Sequence, residues 1–174
     1  MELLEAIRKR RSVRAFKDEA LTRETIEDLV GCAVLAPTGG NMQCWKFIAV
    51  TDPDKIRKIC SFSPGMMGKP GAIIALLADY RIAGSKLGAA DIYEYTAPDL
   101  SLAAENLMLR AVDLGLGTCA VKSYNSAAIR KILRLPEHIH LEYLITLGVP
   151  EGEGRSPERK PISEVLFFDY YPQE

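Results

Sequence analysis

Cysteine is scarce in this chain and poorly spaced for metal binding. The 174 residues include four cysteines, and no two of them form a Cys-x-x-Cys pair. Zinc sites, iron–sulfur clusters and redox dithiols need closely spaced thiols, so the spacing argues against all three. Buried free thiols in a reducing compartment are the simpler interpretation. The cysteines are Cys32, Cys44, Cys60 and Cys119.

Histidine is scarcer still, and the motifs of several enzyme classes are missing. His138 and His140 have no third metal ligand nearby, which favours a surface loop, so we predict no metal site. No Gly-x-Ser-x-Gly elbow occurs, so the chain lacks the parts for acyl transfer. Its glycine loops match neither the Walker loop nor the Gly-x-Gly-x-x-Gly fingerprint.

An excess of charge and a long apolar run are also absent. The 22 basic and 23 acidic residues leave a net charge of −1, so no overall field favours nucleic acid or an anionic membrane. No apolar run reaches the length of about 18 residues that a membrane span needs, and the first residues are charged and helical in pattern. We therefore expect a cytoplasmic protein in which any anion site is a local cluster.

The chain does have ample apolar material. Hydrophobic residues make up 48% of it, which suits one globular domain over residues 1–174. Apolar residues at helical spacing predict helices that begin near Leu3, after N-caps at Thr22, Asp52 and Ser126, and at Asp99. Apolar runs bounded by turn residues predict strands, the second of them buried on both faces. The predicted strands are 45–50, 72–78, 118–122 and 141–148.

Two stretches fit no regular element. Residues 81–98 are rich in Gly, Ala and Tyr without a clean period, and we predict that this long loop forms a lid. Residues 151–161 are polar and precede the apolar run 165–168. An unpaired strand of this kind would aggregate, so we expect the C-terminal arm, residues 151–174, to pack on a partner subunit.

Two motifs in the first third of the chain carry groups that suit a phosphorylated, planar ligand. The run 10–14, Arg-Arg-Ser-Val-Arg, places guanidiniums and a hydroxyl at a helix-to-strand turn, where they can grip a phosphate. The loop 38–43 has glycines that let backbone approach a ligand, and its Asn41 and Gln43 can each donate and accept hydrogen bonds. Alone, each also suits an ordinary solvated helix end or connection.

Two later motifs are equally ambiguous alone. Residues 115–123 form a glycine turn that enters a strand, which a helix C-cap would explain fully. Arg159 and Lys160 lie in the polar tail, where basic residues are commonly just solvated.

Taken in order, the four motifs resemble those of the FMN-dependent nitroreductase family. The family pattern runs Arg-Arg-Ser-x-Arg, then Ala-Pro-Ser/Thr-x-x-Asn-x-Gln-Pro-Trp, then Gly-Leu-Gly-Thr-Cys, then a late basic pair. This chain has Arg-Arg-Ser-Val-Arg at 10–14, Ala-Pro-Thr-Gly-Gly-Asn-Met-Gln-Cys-Trp at 36–45, Gly-Leu-Gly-Thr-Cys at 115–119 and Arg-Lys-Pro at 159–161. The match spans nearly the whole chain.

The resemblance implies an α+β fold with a central, mostly antiparallel sheet flanked by helices. It also implies a homodimer that exchanges C-terminal segments and holds two FMN molecules at its interface. The implied activity is hydride transfer from NADH or NADPH to a small organic acceptor, such as a nitroaromatic or a quinone, by a ping-pong mechanism. Because hydride passes directly through the flavin, no catalytic side chain is named.

The resemblance further assigns each motif to part of the cofactor. Arg10, Ser12 and one of the late basic residues would hold the phosphate and ribityl chain, supported by Arg11. Arg14 would lie at the ring edge and stabilise negative charge on the reduced ring. The loop 37–43 would approach from the other subunit, and a backbone amide of 122–123 would face flavin N5. The candidate cofactor-binding residues are Arg10, Arg11, Ser12, Arg14, Pro37, Thr38, Gly39, Asn41, Gln43, Ala120, Val121, Lys122, Ser123, Arg159 and Lys160.

The chain departs from the family pattern in two places. Cys44 replaces the usual proline, and Lys122-Ser123 replaces a frequent Gly-Gly, which puts a charge where ring contacts are expected. Lys122 is a candidate for binding an anionic acceptor. Two alternatives stay open: a flavoenzyme specialised for one acceptor or for flavin remodelling, and a flavin-binding carrier or regulatory module without turnover.

Overall fold

A four-stranded antiparallel sheet forms the centre of the molecule. The computed structural model describes residues 1–87, 92–152, 154 and 156–172. The strand order is β1-β2-β4-β3, and every neighbouring pair is antiparallel. Helices lie on both faces, so the prediction of an α+β fold with a central antiparallel sheet is confirmed. The strands are β1 (Trp45–Val50), β2 (Ala72–Asp79), β3 (Gly117–Val121) and β4 (Ile139–Gly148).

The helices begin at caps that the sequence supplies. Thr22 Oγ1 accepts a hydrogen bond from Thr25 N at 3.2 Å, and the Asp52 carboxylate accepts from Asp54 N at 2.9 Å. Both caps satisfy backbone donors that a helix start leaves free, and both were predicted. The helices are α1 (Leu3–Lys9), α2 (Arg23–Ala33), α3 (Pro53–Ser61), α4 (Tyr80–Leu87), α5 (Ile92–Asp113) and α6 (Ser126–Ile132).

Two hydrophobic clusters fill the two faces of the sheet. On one face α2 and α5 pack through Leu29 and Leu107, and on the other α3 and α6 pack through Ile59 and Ile129. Strand β2 is buried along its full length, as predicted for a central strand. The side chains of α5 therefore reach the sheet from one side only, where the helix contacts all four strands.

The cysteines follow the predicted pattern in part. They are free thiols, and Cys44 and Cys119 are buried, whereas Cys32 and Cys60 are partly exposed. Burial also raises the pKa of the Cys44 and Cys60 thiols, which keeps both protonated and poorly reactive. Among the described helices, none combines the length and apolarity that crossing a bilayer requires.

Two predictions about where helices start were wrong. Asn125, rather than Ser126, caps α6, because its Oδ1 accepts from Ala128 N at 3.0 Å. Asp99 does not open α5, which begins at Ile92 and includes Pro98. Thr96 and Leu100 are buried on either side of Pro98, and Leu100 belongs to the hydrophobic cluster on this face of the sheet, so packing outweighs the helix-breaking tendency of proline.

The predicted irregular stretch is helical where it is described. Residues 80–87 form α4 and residues 92–98 belong to α5, while residues 88–91 lie outside the described part of the chain. The helix period was hidden because small residues make the contacts: Ala83 is fully buried. His140 likewise lies on β4 and not in a surface loop, stacked on Tyr80 with ring centroids 5.0 Å apart.

The two edges of the sheet differ. Along β3, Val13 N donates to Thr118 O at 2.8 Å, and Ser12 bridges Thr118 in a parallel arrangement, so the N-terminal segment covers this edge. Along β1, no strand of the described chain pairs with the outer edge. The described tail residues 156–172 are all exposed and include Phe167 and Phe168, whereas residues 153, 155 and 173–174 of the predicted arm lie outside the described chain.

Candidate active site

A cleft of about 380 Å³ brings together the first and last of the four motifs. Arg10, Ser12 and Arg14 line it from the N-terminal segment, and Arg159 lines it from the tail together with Pro157 and Glu158. Three arginines and a serine therefore border a space open to solvent, with one glutamate among them. This donor set suits a phosphate group.

The course of the chain explains why alternate residues meet in the cleft. Helix α1 ends at Lys9, and the segment then runs extended along β3, where side chains two residues apart point to the same side. The Arg10 side chain is further fixed by Glu105 of α5, whose Oε1 lies 3.2 Å from Arg10 Nε. Gly68 packs so closely on this segment that an added β-carbon would clash with the Arg14 carbonyl oxygen.

Two residues of the same motifs lie elsewhere. The Arg11 side chain is near Gly154, where an added β-carbon would lie 3.9 Å from Arg11 Nε. Lys160 is exposed and is not among the residues that line the cleft. Of the two late basic residues that the sequence left open, the structure therefore brings Arg159 to the first motif.

The loop 38–43 has a defined conformation. Gln43 Nε2 donates to Asn41 Oδ1 at 3.0 Å, and Gln43 N donates to Thr38 Oγ1 at 3.2 Å. Asn41 and Gln43 both have positive φ, of 53° and 50°, which side chains other than glycine rarely adopt. The loop does not line the arginine cleft of its own chain, and neither do residues 120–123.

Asp99 of α5 is hydrogen-bonded to the backbone of this loop. Its Oδ1 accepts a hydrogen bond from Gly39 N at 3.1 Å, and the whole residue is only 6% exposed. Oδ2 is buried without a hydrogen-bond partner in the described structure. Burial raises the pKa of the Asp99 carboxyl, and the bond from Gly39 only partly opposes this.

The segment 120–123 leaves β3 with Ala120, Lys122 and Ser123 exposed and Val121 buried. The ammonium of Lys122 forms an ion pair with Glu142 of β4, a residue that is 1% exposed, and lies 3.2 Å from the Tyr93 hydroxyl. Burial by itself would lower the pKa of Lys122, but the hydrogen bonds and charge of these neighbours raise it above its ordinary value.

Sequence reasoning missed Glu142, Tyr93 and the role of Asp99. Glu142 did carry a signal, since it is a lone acid inside a predicted strand, and a buried acid needs a partner. Tyr93 carried none. A larger cleft of about 650 Å³ between α3 and the 68–71 loop contains none of the four motifs.

Both the sequence and the structure of this chain match those of known proteins. The family model described as Nitroreductase family matches residues 7–81 and 61–149. A protein of Archaeoglobus fulgidus provisionally named an NADH dehydrogenase/NAD(P)H nitroreductase is 35% identical over 158 residues, which cover 87% of each chain. The FMN reductase (NADPH) of Bacillus subtilis is 28% identical and covers 97% of this chain and 74% of its own.

Solved structures agree with these sequence matches. The crystal structure of a nitroreductase family protein from Clostridium difficile 630 superposes with a TM-score of 0.85 at 26% identity. The superposition covers 98% of this chain and all of the other.

Proposed function

Because the chain belongs to the nitroreductase family, we propose that it passes electrons from a reduced nicotinamide through FMN to a small organic acceptor, a nitroaromatic or a quinone, by a ping-pong mechanism. Family membership makes it an NAD(P)H-dependent oxidoreductase with FMN as cofactor. The acceptor class and the ping-pong order are proposals. A cytoplasmic location stays a prediction.

The arginine cleft is the observation that supports the proposal most directly. Arg10, Arg14 and Arg159 converge there from opposite ends of the chain, although like charges repel, and such a gathering is stable when an anion is bound among them. Ser12 adds a hydroxyl donor. Arg10, Ser12 and Arg159 therefore suit the phosphate of FMN, with Arg14 in the same cleft, and Glu158 is the one lining group that opposes an anion.

Each motif would have a separate task. Arg10, Ser12 and Arg159 would bind the phosphate end, and Arg11, beside the tail, would support that end. The guanidinium of Arg14 would stabilise negative charge at the pyrimidine edge of the ring. Lys160, exposed next to Arg159, would add positive charge nearby.

The other two motifs would bind the ring. Backbone amides at 122–123 would donate to its edge, and the exposed Ala120 with Val121 behind it would form a flat wall. Pro37, Thr38, Gly39, Asn41 and Gln43 would complete the site from the second subunit. When bound, FMN supplies hydride acceptance and delivery, so the protein side chains need only bind, orient and stabilise charge.

A homodimer is part of the proposal. The outer edge of β1 lacks a partner strand in the described chain, and an open edge invites a further strand. The tail offers the apolar run 165–168, in which all four side chains are exposed. Leu3, Leu4 and Ile7 expose a second apolar strip along α1. Exchange of the tails between two subunits would cover these surfaces.

The decisive experiment is anaerobic mixing of the FMN-loaded protein with NADH or NADPH. Rapid bleaching of the flavin absorption band, followed by its return when a quinone or nitroaromatic is added, would support the proposed reaction. A flavin band that persists in excess nicotinamide would favour the carrier alternative. Double-reciprocal plots of initial rate against nicotinamide concentration, measured at several acceptor concentrations, should give parallel lines if the order is ping-pong.

A further inference from the structure

A β-bulge in β4 aims a buried carboxylate at the end of β3. Leu76 of β2 pairs with Tyr143, but the next residue, Leu77, pairs with Leu141. Glu142 is thus the extra residue, without a partner in the ladder. Bulges of this kind redirect a side chain and are frequent near active sites.

The redirected Glu142 side chain organises a cluster of polar and aromatic groups. One carboxylate oxygen pairs with the Lys122 ammonium, and the other lies 3.3 Å from His140 Nε2. The ammonium also lies over the ring of Tyr143, 4.9 Å from its centroid, and 5.7 Å from that of Tyr93. Each oxygen of the carboxylate therefore lies next to a side-chain nitrogen of the protein.

The ion pair is oriented with its positive end outward. The Glu142 side chain is 2% exposed, whereas that of Lys122 is 49% exposed. An approaching molecule therefore meets the ammonium and not the carboxylate. Because an ammonium has three N–H donors and Glu142 and Tyr93 engage two of them, the third has no hydrogen-bond acceptor among the described residues and can meet a ligand.

The Tyr93 hydroxyl supplies a second donor beside it. Its oxygen accepts from Lys122 at 3.2 Å, while its contact with Glu142, at 3.5 Å, is at the limit of a hydrogen bond. The hydroxyl donates to Glu142 only through this long, weak bond, so its proton can turn toward a stronger acceptor. One N–H and one O–H side by side match the two oxygens of a carboxylate, and the tyrosine rings offer apolar walls to an aromatic body.

We propose that Lys122 and Tyr93, fixed by the bulged Glu142, form a recognition subsite for the oxyanion of a planar aromatic acceptor, so that aromatic carboxylates are preferred to their neutral analogues. The proposal rests on the proposed function, since it places an acceptor next to the segment 120–123. It narrows the acceptor class to aromatic acids.

The test compares benzoate with benzamide by titration calorimetry on the FMN-loaded protein, which needs no turnover. Wild type should bind benzoate more tightly than benzamide. Removing Lys122 alone would leave Glu142 buried and unpaired, so the informative variant is Lys122→Met combined with Glu142→Gln. In it the dissociation constant for benzoate should rise about ten- to hundredfold, the effect of losing a hydrogen bond to a charged group, while that for benzamide stays constant.

Two single variants separate recognition from support. Glu142→Gln keeps the Lys122 ammonium and should retain the preference for benzoate over benzamide. If that preference is lost, the Lys122–Glu142 ion pair acts only as a structural contact. Tyr93→Phe should weaken benzoate binding and leave benzamide binding unchanged. Lys58→Met, on the exposed face of α3, is the matched control and should change neither constant.

The proposal is overturned if benzoate and benzamide bind equally, or if the double variant keeps the preference. Such a result would leave the proposed function intact as long as the nicotinamide still bleaches the flavin. Conversely, charge-selective binding without bleaching would contradict the proposed function and keep the subsite. A melting curve of each variant shows that it is folded before binding is measured.

Discussion

At the residue scale, the most direct predictions concern Arg10 in the cleft and the buried carboxyl group of Asp99. Arg10 has two contacts of different kinds, an ion pair with Glu105 and a position in the cleft. Asp99 is a carboxyl group removed from water with one oxygen unsatisfied. Neither residue is a member of the two hydrophobic clusters.

Arg10→Ala should weaken FMN binding by about 1.5–3 kcal/mol, the usual range for a hydrogen bond to a charged group. Fluorescence titration of the apoprotein with FMN measures this loss. The control is Arg23→Ala, which removes an exposed arginine that pairs with Glu27 on α2, and it should leave the affinity unchanged. Equal affinities in all three proteins would remove the N-terminal motif from the cofactor site.

Asp99 should make the free energy of unfolding depend on pH. Its pKa is raised in the folded protein, so its contribution is fully present below its unfolded value of about 3.8 and is lost as pH rises through the folded pKa. Asp99→Asn should remove this decline, as measured by urea unfolding from acid to neutral pH.

Asp113 is the control of opposite sign for that experiment. The hydrogen bond from the N-terminal amine lowers the pKa of Asp113, so its contribution is present above its unfolded pKa and lost as pH falls. Asp113→Asn should therefore leave the Asp99 effect in place. A wild type and an Asp99→Asn variant with the same pH profile would contradict the assignment.

At the element scale, the loop after α3 is fitted to the N-terminal segment by a glycine. Gly68 has a φ of 77° and lies against the Arg14 carbonyl, so both its backbone conformation and its lack of a side chain are required. Gly31, by contrast, lies within α2 with open space around it. The two glycines therefore differ in what an added methyl group would meet.

Gly68→Ala should destabilise the protein by more than about 1 kcal/mol, because strain and a backbone clash add together. It should also weaken FMN binding, since Arg14 must shift. Gly31→Ala should instead stabilise by up to about 1 kcal/mol, the difference in helix propensity. Urea unfolding measures the change in the free energy of unfolding for both variants. A Gly68→Ala variant as stable as wild type would show that the loop does not support the cleft.

At the scale of the whole molecule, the single chain leaves much apolar surface in water. Phe167, Phe168, Tyr170 and Tyr171 are exposed in the tail, and α1 adds its own apolar strip. Soluble monomers rarely show apolar patches of that extent, which typically mark an interface. The motif loop 38–43 is also separate from the cleft within one chain. Both facts favour a site completed by a second subunit.

Phe168→Asp should therefore weaken the dimer, because it places a charge in the surface that is buried on association. Sedimentation velocity over a dilution series should show wild-type dimer and variant monomer, with FMN affinity reduced in the monomer. Phe62→Asp, at the exposed end of α3 and outside the tail, is the matched control and should remain dimeric. A monomeric wild type that binds FMN tightly would refute the exchanged-tail proposal.

The sequence determined the parts of this protein that depend on local pattern. Caps at Thr22 and Asp52, the four strands and the buried β2 all follow from periodicity and side-chain chemistry over a few residues. The order of the four motifs also predicted the family, because a series of short motifs in fixed order is far more specific than any one of them.

Only the tertiary structure decided which side chains meet. The pairing of Lys122 with Glu142 depends on a one-residue bulge, the choice of Arg159 over Lys160 depends on the path of the tail, and Pro98 is tolerated because Thr96 and Leu100 are buried around it. These contacts join residues far apart in the chain. Their energies come from burial and electrostatics, which local sequence patterns do not encode.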